Sequence, residues 1–135
     1  MSLIVLNPAH LDQVWPTVGP MIQRAIDVDP TYATLDQMQL LIRQGRTHLL
    51  VYIDDSETIT GAATVEFHNT PLARIAHVGF MGGKGIVRAH VFKEAQEWMR
   101  SQGATIAQCW ASGSLVSMYE KMGMSTTHQV MRLPL

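Results

Sequence analysis

Apolar positions change period several times along the chain, and each change predicts an element. Ser2 to Leu6 is a short apolar run that reads as a first or edge strand, ended by Asn7-Pro8. From Asp12 to Ile26, the residues Val14, Val18, Met21, Ile22, Ala25 and Ile26 fall at helical spacing. Pro16 and Pro20 interrupt that run, so one is expected to start a helix and the other to kink or divide it. Asp27 to Pro30 is a break. Tyr32 to Gln44 reads as a second helix, with Leu35, Met38, Leu41 and Ile42 on one side and Gly45 as terminator.

The pattern then shortens to strands. Thr47 to Ile53 and Thr58 to His68 flank the polar turn Asp54-Asp55-Ser56-Glu57 and read as a hairpin. After Asn69-Thr70-Pro71, Arg74 to Met81 continues an antiparallel meander. Val87, Val91, Ala95 and Trp98 return to helical spacing, and that helix ends near Gly103. Thr105 to Ala111 predicts a strand, Ser114 to Met122 a short helix, and Thr126 to Leu133 a final strand. Leu115, Met118, Tyr119 and Met122 share one face of the short helix. The order is strand, two helices, three strands, helix, strand, helix, strand. It predicts a mixed α+β (α/β) domain, with a mostly antiparallel central sheet flanked by helices. The unit from Arg74 to Ala111 should be a right-handed crossover with parallel strands.

Composition narrows the classes. A chain of 135 residues with 47% apolar content is expected to form a single domain, residues 1–135, with a core of its own. A formal net charge of −1 with scattered Lys and Arg gives no electrostatic footprint for nucleic acid or an acidic membrane. One cysteine, Cys109, excludes an internal disulfide or a cysteine-based metal cluster and fits a reducing, cytoplasmic setting. Neither a signal-peptide pattern nor an apolar run of membrane-spanning length is visible. His10, His48, His90 and His128 show no metal-ligand spacing. Cys109 lies between apolar neighbours and reads as core, and no nucleophile elbow is present.

Gly82-Gly83-Lys84-Gly85, between a strand and a long helix, is a candidate anion site. Glycines admit close approach, the helix N-terminus offers free N–H groups, and Lys84 adds charge. The full P-loop and dinucleotide patterns are both missing, and a plain tight turn explains the glycines equally well.

At this point the chain resembles the Gcn5-related N-acetyltransferase (GNAT) family, including its short phage-type members, over nearly its whole length. Tyr119-Glu120-Lys121-Met122-Gly123-Met124 is similar to the family's late helix, which carries a tyrosine and ends in glycine plus an apolar residue. Gly83 and Gly85 match the family's loop glycines, whereas Phe80 stands where the family has Arg or Gln. The resemblance implies the acyl-CoA N-acyltransferase fold, with acetyl-CoA as cosubstrate. Its pyrophosphate would rest on Gly82, Gly83, Lys84 and Gly85. Its pantetheine arm would run between splayed strands Arg74–Met81 and Thr105–Ala111. Cofactor contacts would come from Val78, Gly79, Phe80, Met81, Ile86 and Ser114. Val78 and Gly79 would meet the acetyl end through their backbones. Ser112 and Ser114 also suit a helix cap.

Acetyl transfer to an amine requires a neutral amine, a polarised carbonyl and a proton for the leaving thiolate. The resemblance assigns the last role to Tyr119, which also suits packing against its helix neighbours. For the base, alternation places Ala62, Thr64, Glu66 and His68 on one face of their strand, and His77 in the next strand. Glu66, His68 and His77 are the candidates; all three also suit ordinary solvated or half-buried strand positions. The expected acceptor is an amine on a small molecule or a protein. The competing reading is a noncatalytic phage accessory or host-modulating domain that binds a protein partner. A homodimer built through the final strand is a further expectation.

Overall fold

The computed structural model describes every residue except Met1 and Val87. The periodicity at Val87 therefore lies outside the described residues. Ten elements follow in order. Strand β1 (Ser2–Val5) is followed by a single 3-10 turn (Pro8–His10), helix α1 (Leu11–Val28) and helix α2 (Leu35–Arg43). Then come β2 (His48–Ile53), β3 (Ile59–Asn69), β4 (Arg74–Gly83), α3 (Ala89–Ser101), β5 (Ile106–Cys109) and α4 (Ser114–Lys121). The sheet runs β1-β2-β3-β4-β5 in spatial order. Every pairing is antiparallel except β4 with β5, which is parallel across the α3 crossover.

The alternation of each strand sorts its side chains to two helical layers. Leu49, Val51 and Ala62 face α1 and α2, where they meet Val18, Ile22, Met38 and Ile42. Leu50, Val65 and Ala76 face the opposite side, against Ala95 and Met99 of α3. Ile22 is fully buried, so truncation to alanine costs about 2–5 kcal/mol.

Three local expectations are corrected. First, α1 is one continuous helix, and neither proline starts or divides it. Pro16 and Pro20 are four residues apart on the exposed side of α1, where water can satisfy the carbonyls that lose an amide partner. Second, α2 begins at Leu35 rather than Tyr32. Thr34 and Gln37 form a reciprocal capping box there, with Gln37 N–H donated to Thr34 Oγ1 at 3.2 Å and Thr34 N–H to Gln37 Oε1 at 2.9 Å. Tyr32 is left in the connecting loop.

Third, the expected strand from Thr126 to Leu133 does not form. No described strand edge pairs with it. Its Arg132 is drawn instead to Asp29 at the end of α1, both guanidinium contacts lying at 2.9 Å. This ion pair lowers the carboxyl of Asp29 below its ordinary range. Strand β5 is also shorter than expected and stops at Cys109, and Gly113, not Ser112 or Ser114, is the residue before α4.

Candidate active site

The shortness of β5 opens the sheet. On one edge β4 pairs with β3 as far as Gly83. On the other it pairs with β5 only from Ile75 to Val78. Beyond Cys109 the chain leaves the sheet, so the outer edge of Gly79 to Gly83 has no strand beside it among the described residues. Backbone donors and acceptors along such an edge are available to a ligand. A register shift of one residue lies at the mouth of the gap: Ala63 faces Met81, but Val65 faces Val78. The extra residue makes a bulge opposite Thr64, whose buried hydroxyl accepts the N–H of Phe80 at 2.9 Å. Gly79 fits this bulge closely; an added Cβ would lie 3.0 Å from the Thr64 hydroxyl oxygen.

Two adjacent residues of β4 then point to opposite faces. His77 faces the α1–α2 layer and stands directly across from Glu66 on β3. Tyr32 donates its hydroxyl to Glu66 Oε1, which also lies 3.4 Å from the Thr47 hydroxyl. Burial, then the bond to Glu66, raises the Tyr32 hydroxyl to about 12 and keeps it a donor. His68 Nε2 is 3.6 Å from Glu66 Oε2. His77 Nδ1 is 3.1 Å from the side-chain amide of Gln108, its neighbour on β5. The His77 ring centre is 5.1 Å from that of Trp110 and 6.2 Å from that of His68. Burial lowers the His77 imidazole below its ordinary value; Glu66 opposes that shift and His68 adds to it. His77 is therefore neutral near pH 7.

Val78, one residue on, faces α3 and α4. It lines an apolar cavity of about 40 Å³ with Met81, Ile86, Cys109 and Tyr119. Tyr119 is 9% exposed, and its hydroxyl lies against the Cys109 sulfur. Burial, with Cys109 adding, raises that hydroxyl to about 12. Burial also raises the Cys109 thiol, so it is no thiolate nucleophile. The structure thus gathers Glu66, His68 and His77 on one face of the sheet and sets Tyr119 on the other side of β4.

The turn after β4 has two characters. Its glycines serve close packing: a Cβ at Gly82 would lie 2.5 Å from the Met21 carbonyl oxygen, and one at Gly83 2.2 Å from that of Thr60. Gly83 and Gly85 have φ of +81° and +86°, and Gly85 sits over the Tyr52 ring. The Lys84 N–H is already given to Thr60 O at 2.7 Å. Phe80 packs against the α1–α2 core with its ring edge on Tyr32, the centres 5.9 Å apart. Ile86 is buried, and Ser114 is exposed.

The start of α3 is different. No side chain caps it, and its first turn holds no acidic residue. Among the described residues, the first helical bond is from Phe92 N–H to Arg88 O. The side chains of Lys84 and Arg88 are exposed. A helix dipole and two exposed cations suit an anionic group.

Tyr32, Gln108, Trp110 and Thr47 are site residues that sequence reasoning missed. Tyr32 looked like the first turn of a helix, and its loop position depends on the cap at Thr34. Gln108 alternates with Cys109 on β5, and that alternation alone places it beside His77.

No protein-family model matches the sequence, and no curated protein matches it either. Solved structures do match in shape. One is an aminoglycoside acetyltransferase from an uncultured soil metagenomic sample, crystallised with sisomicin. It has a TM-score of 0.74 and 10% identity, over 99% of this chain and 94% of that one. The glucosamine-6-phosphate N-acetyltransferase of Arabidopsis thaliana has a TM-score of 0.66 and 15% identity, over 98% and 97%. An acetyltransferase of Trypanosoma brucei has a TM-score of 0.66 and 17% identity, over 99% of both chains. The chain therefore shares the fold of these acetyltransferases over 98–99% of its length, with little shared sequence.

Proposed function

We propose that this protein transfers an acetyl group from acetyl-CoA to an amine. The observation that carries the reading is the gap beside Gly79–Gly83. Around it lie the start of α3, a buried tyrosine hydroxyl on one face of the sheet and a neutral imidazole on the other. Acetyl-CoA, when bound, supplies the activated thioester. The Lys84 and Arg88 side chains with the first amides of α3 hold its anionic portion, and the open edge of β4 aligns its extended arm.

Tyr119 donates a proton to the departing thiolate, a role its raised pKa of about 12 keeps open through neutral pH. His77 takes the amine proton on Nε2. That role needs Nδ1–H donated to the Gln108 side chain, so the amide must offer its carbonyl oxygen. A half-turn of the amide exchanges its two ends without moving any other group.

The reading is tested by following thiol release with acetyl-CoA and a panel of amines, next to calorimetric titration with acetyl-CoA alone. Release with at least one amine is expected. Absence of acetyl-CoA binding overturns the proposal.

A second reading has its own observation. Among the described residues, seven of the twelve exposed large apolar ones, from Ile106 to Leu135, lie in the last thirty positions. They lie on β5, just after it, on α4 and along the tail that pairs with no described strand. This favours a protein-binding role, with a second copy of the chain as the simplest partner, each tail covering the other's β5 edge. A monomer by light scattering at micromolar concentration would remove it.

A further inference from the structure

We propose that the polar face around Glu66 binds an organic cation, so that the acceptor carries a protonated amine beside the nitrogen that reacts. The reacting nitrogen rests on the acetyl-transfer reading; the cation site does not. The Glu66 side chain is 17% exposed, and among the described residues no lysine or arginine forms an ion pair with it. Oε1 is served by two neutral hydroxyls, from Tyr32 and Thr47. Oε2 has only the exposed His68 beside it. Arg46 acts electrostatically on Tyr32 but makes no ion pair with the carboxylate. A largely buried carboxylate without a lysine or arginine ion pair can still take a counter-charge.

The surroundings select the kind of cation. Tyr32 and Trp110 are 54% and 61% exposed, large aromatic side chains left open on two sides of the Glu66–His77 pair. Aromatic faces beside a carboxylate stabilise an alkylammonium group. A metal ion does not fit, since no group of three His, Cys, Asp or Glu side chains among the described residues could hold one. An anionic acceptor such as an amino-sugar phosphate would meet the carboxylate with like charge.

Spacing completes the argument. Glu66 stands opposite His77, and Gly79 lies two residues further along β4, about 7 Å at the usual strand rise. A short aliphatic diamine spans that distance. One nitrogen stays protonated on Glu66 while the other reaches the gap as the neutral nucleophile.

The experiment titrates the whole protein, without acetyl-CoA, with putrescine, with butanediol as its uncharged counterpart, and with glucosamine 6-phosphate. Putrescine is expected to bind about tenfold or more tightly than either, as a charge-assisted contact requires. Added salt should weaken putrescine binding and leave butanediol unchanged. Glu66→Gln should erase the preference. Equal binding of putrescine and butanediol, or a preference that survives Glu66→Gln, overturns the proposal. The salt dependence of the wild type decides the matter even if the variant fails to fold. Failure here with acetyl-CoA binding intact removes the cation site alone; putrescine binding without thiol release removes the transferase reading alone.

Discussion

The two faces of β4 differ within one residue. On the His77 side lie a carboxylate, two imidazoles, an amide and two exposed aromatic rings. On the Val78 side lies an apolar cavity with one buried hydroxyl against a thiol. A continuous sheet would keep these two chemistries apart. Because β5 stops at Cys109, no described strand covers the outer edge of β4 beyond Val78, between the two. In the proposed reaction, proton removal falls to the polar, half-open face and proton delivery to the dry one. Each group keeps the protonation state its own environment favours.

The strongest way to break this comparison is Tyr119→Phe. Loss of a general acid lowers the chemical step by about 10²-fold or more. Acetyl-CoA affinity should hold, since the cavity keeps its shape. Single-turnover kinetics measure this, and an unchanged step would assign Tyr119 to packing alone.

Gly83→Ala comes next, as a stability effect. Its Cβ would enter the Thr60 carbonyl at a left-handed backbone, which costs about 1–3 kcal/mol or more, read from denaturant midpoints. Any loss of acetyl-CoA binding in a Gly83 variant would therefore follow from the damaged turn. Lys84→Ala with Arg88→Ala tests the anion contact without touching a packed glycine. The pair should weaken acetyl-CoA binding about tenfold and reduce its salt dependence, by calorimetry.

The smallest effect concerns pH. Burial depresses the imidazoles of His77 and His48 in the folded state, with Arg74 adding to the shift at His48. The unfolded chain then binds protons more readily than the folded one. Stability should fall as pH drops below the unfolded value of about 6.5 and continue falling down to the depressed folded values. Thermal midpoints between neutral and mildly acidic pH show this, and His77→Asn should flatten part of the slope.

Most of the fold was legible because its elements have strong periodicity. Val18, Ile22 and Ile26 mark the buried stripe of α1 from sequence alone, and alternation in β3 put Glu66 and His68 on one face correctly. What was not legible depended on contacts between distant residues. Tyr32 reaches Glu66 only because the Thr34–Gln37 box starts α2 late. The tail from Thr126 to Leu133 has strand-like residues but pairs with no described strand, and Arg132 answers to Asp29, 103 positions away. The glycines after β4 suggested a phosphate cradle, yet their neighbours show that packing against Met21, Thr60 and Tyr52 already demands them. The anion-ready feature is the uncapped start of α3, which follows the glycines.

The central claim is that acetyl-CoA enters the gap between β4 and β5. Amide NMR on the isotopically labelled chain, titrated with acetyl-CoA, tests it most directly. The account predicts saturable shifts concentrated in Gly79–Gly83 and in Ala89–Val91, with the amides of β1 and β2 unmoved. No shift, or shifts confined to surfaces away from that gap, would contradict it.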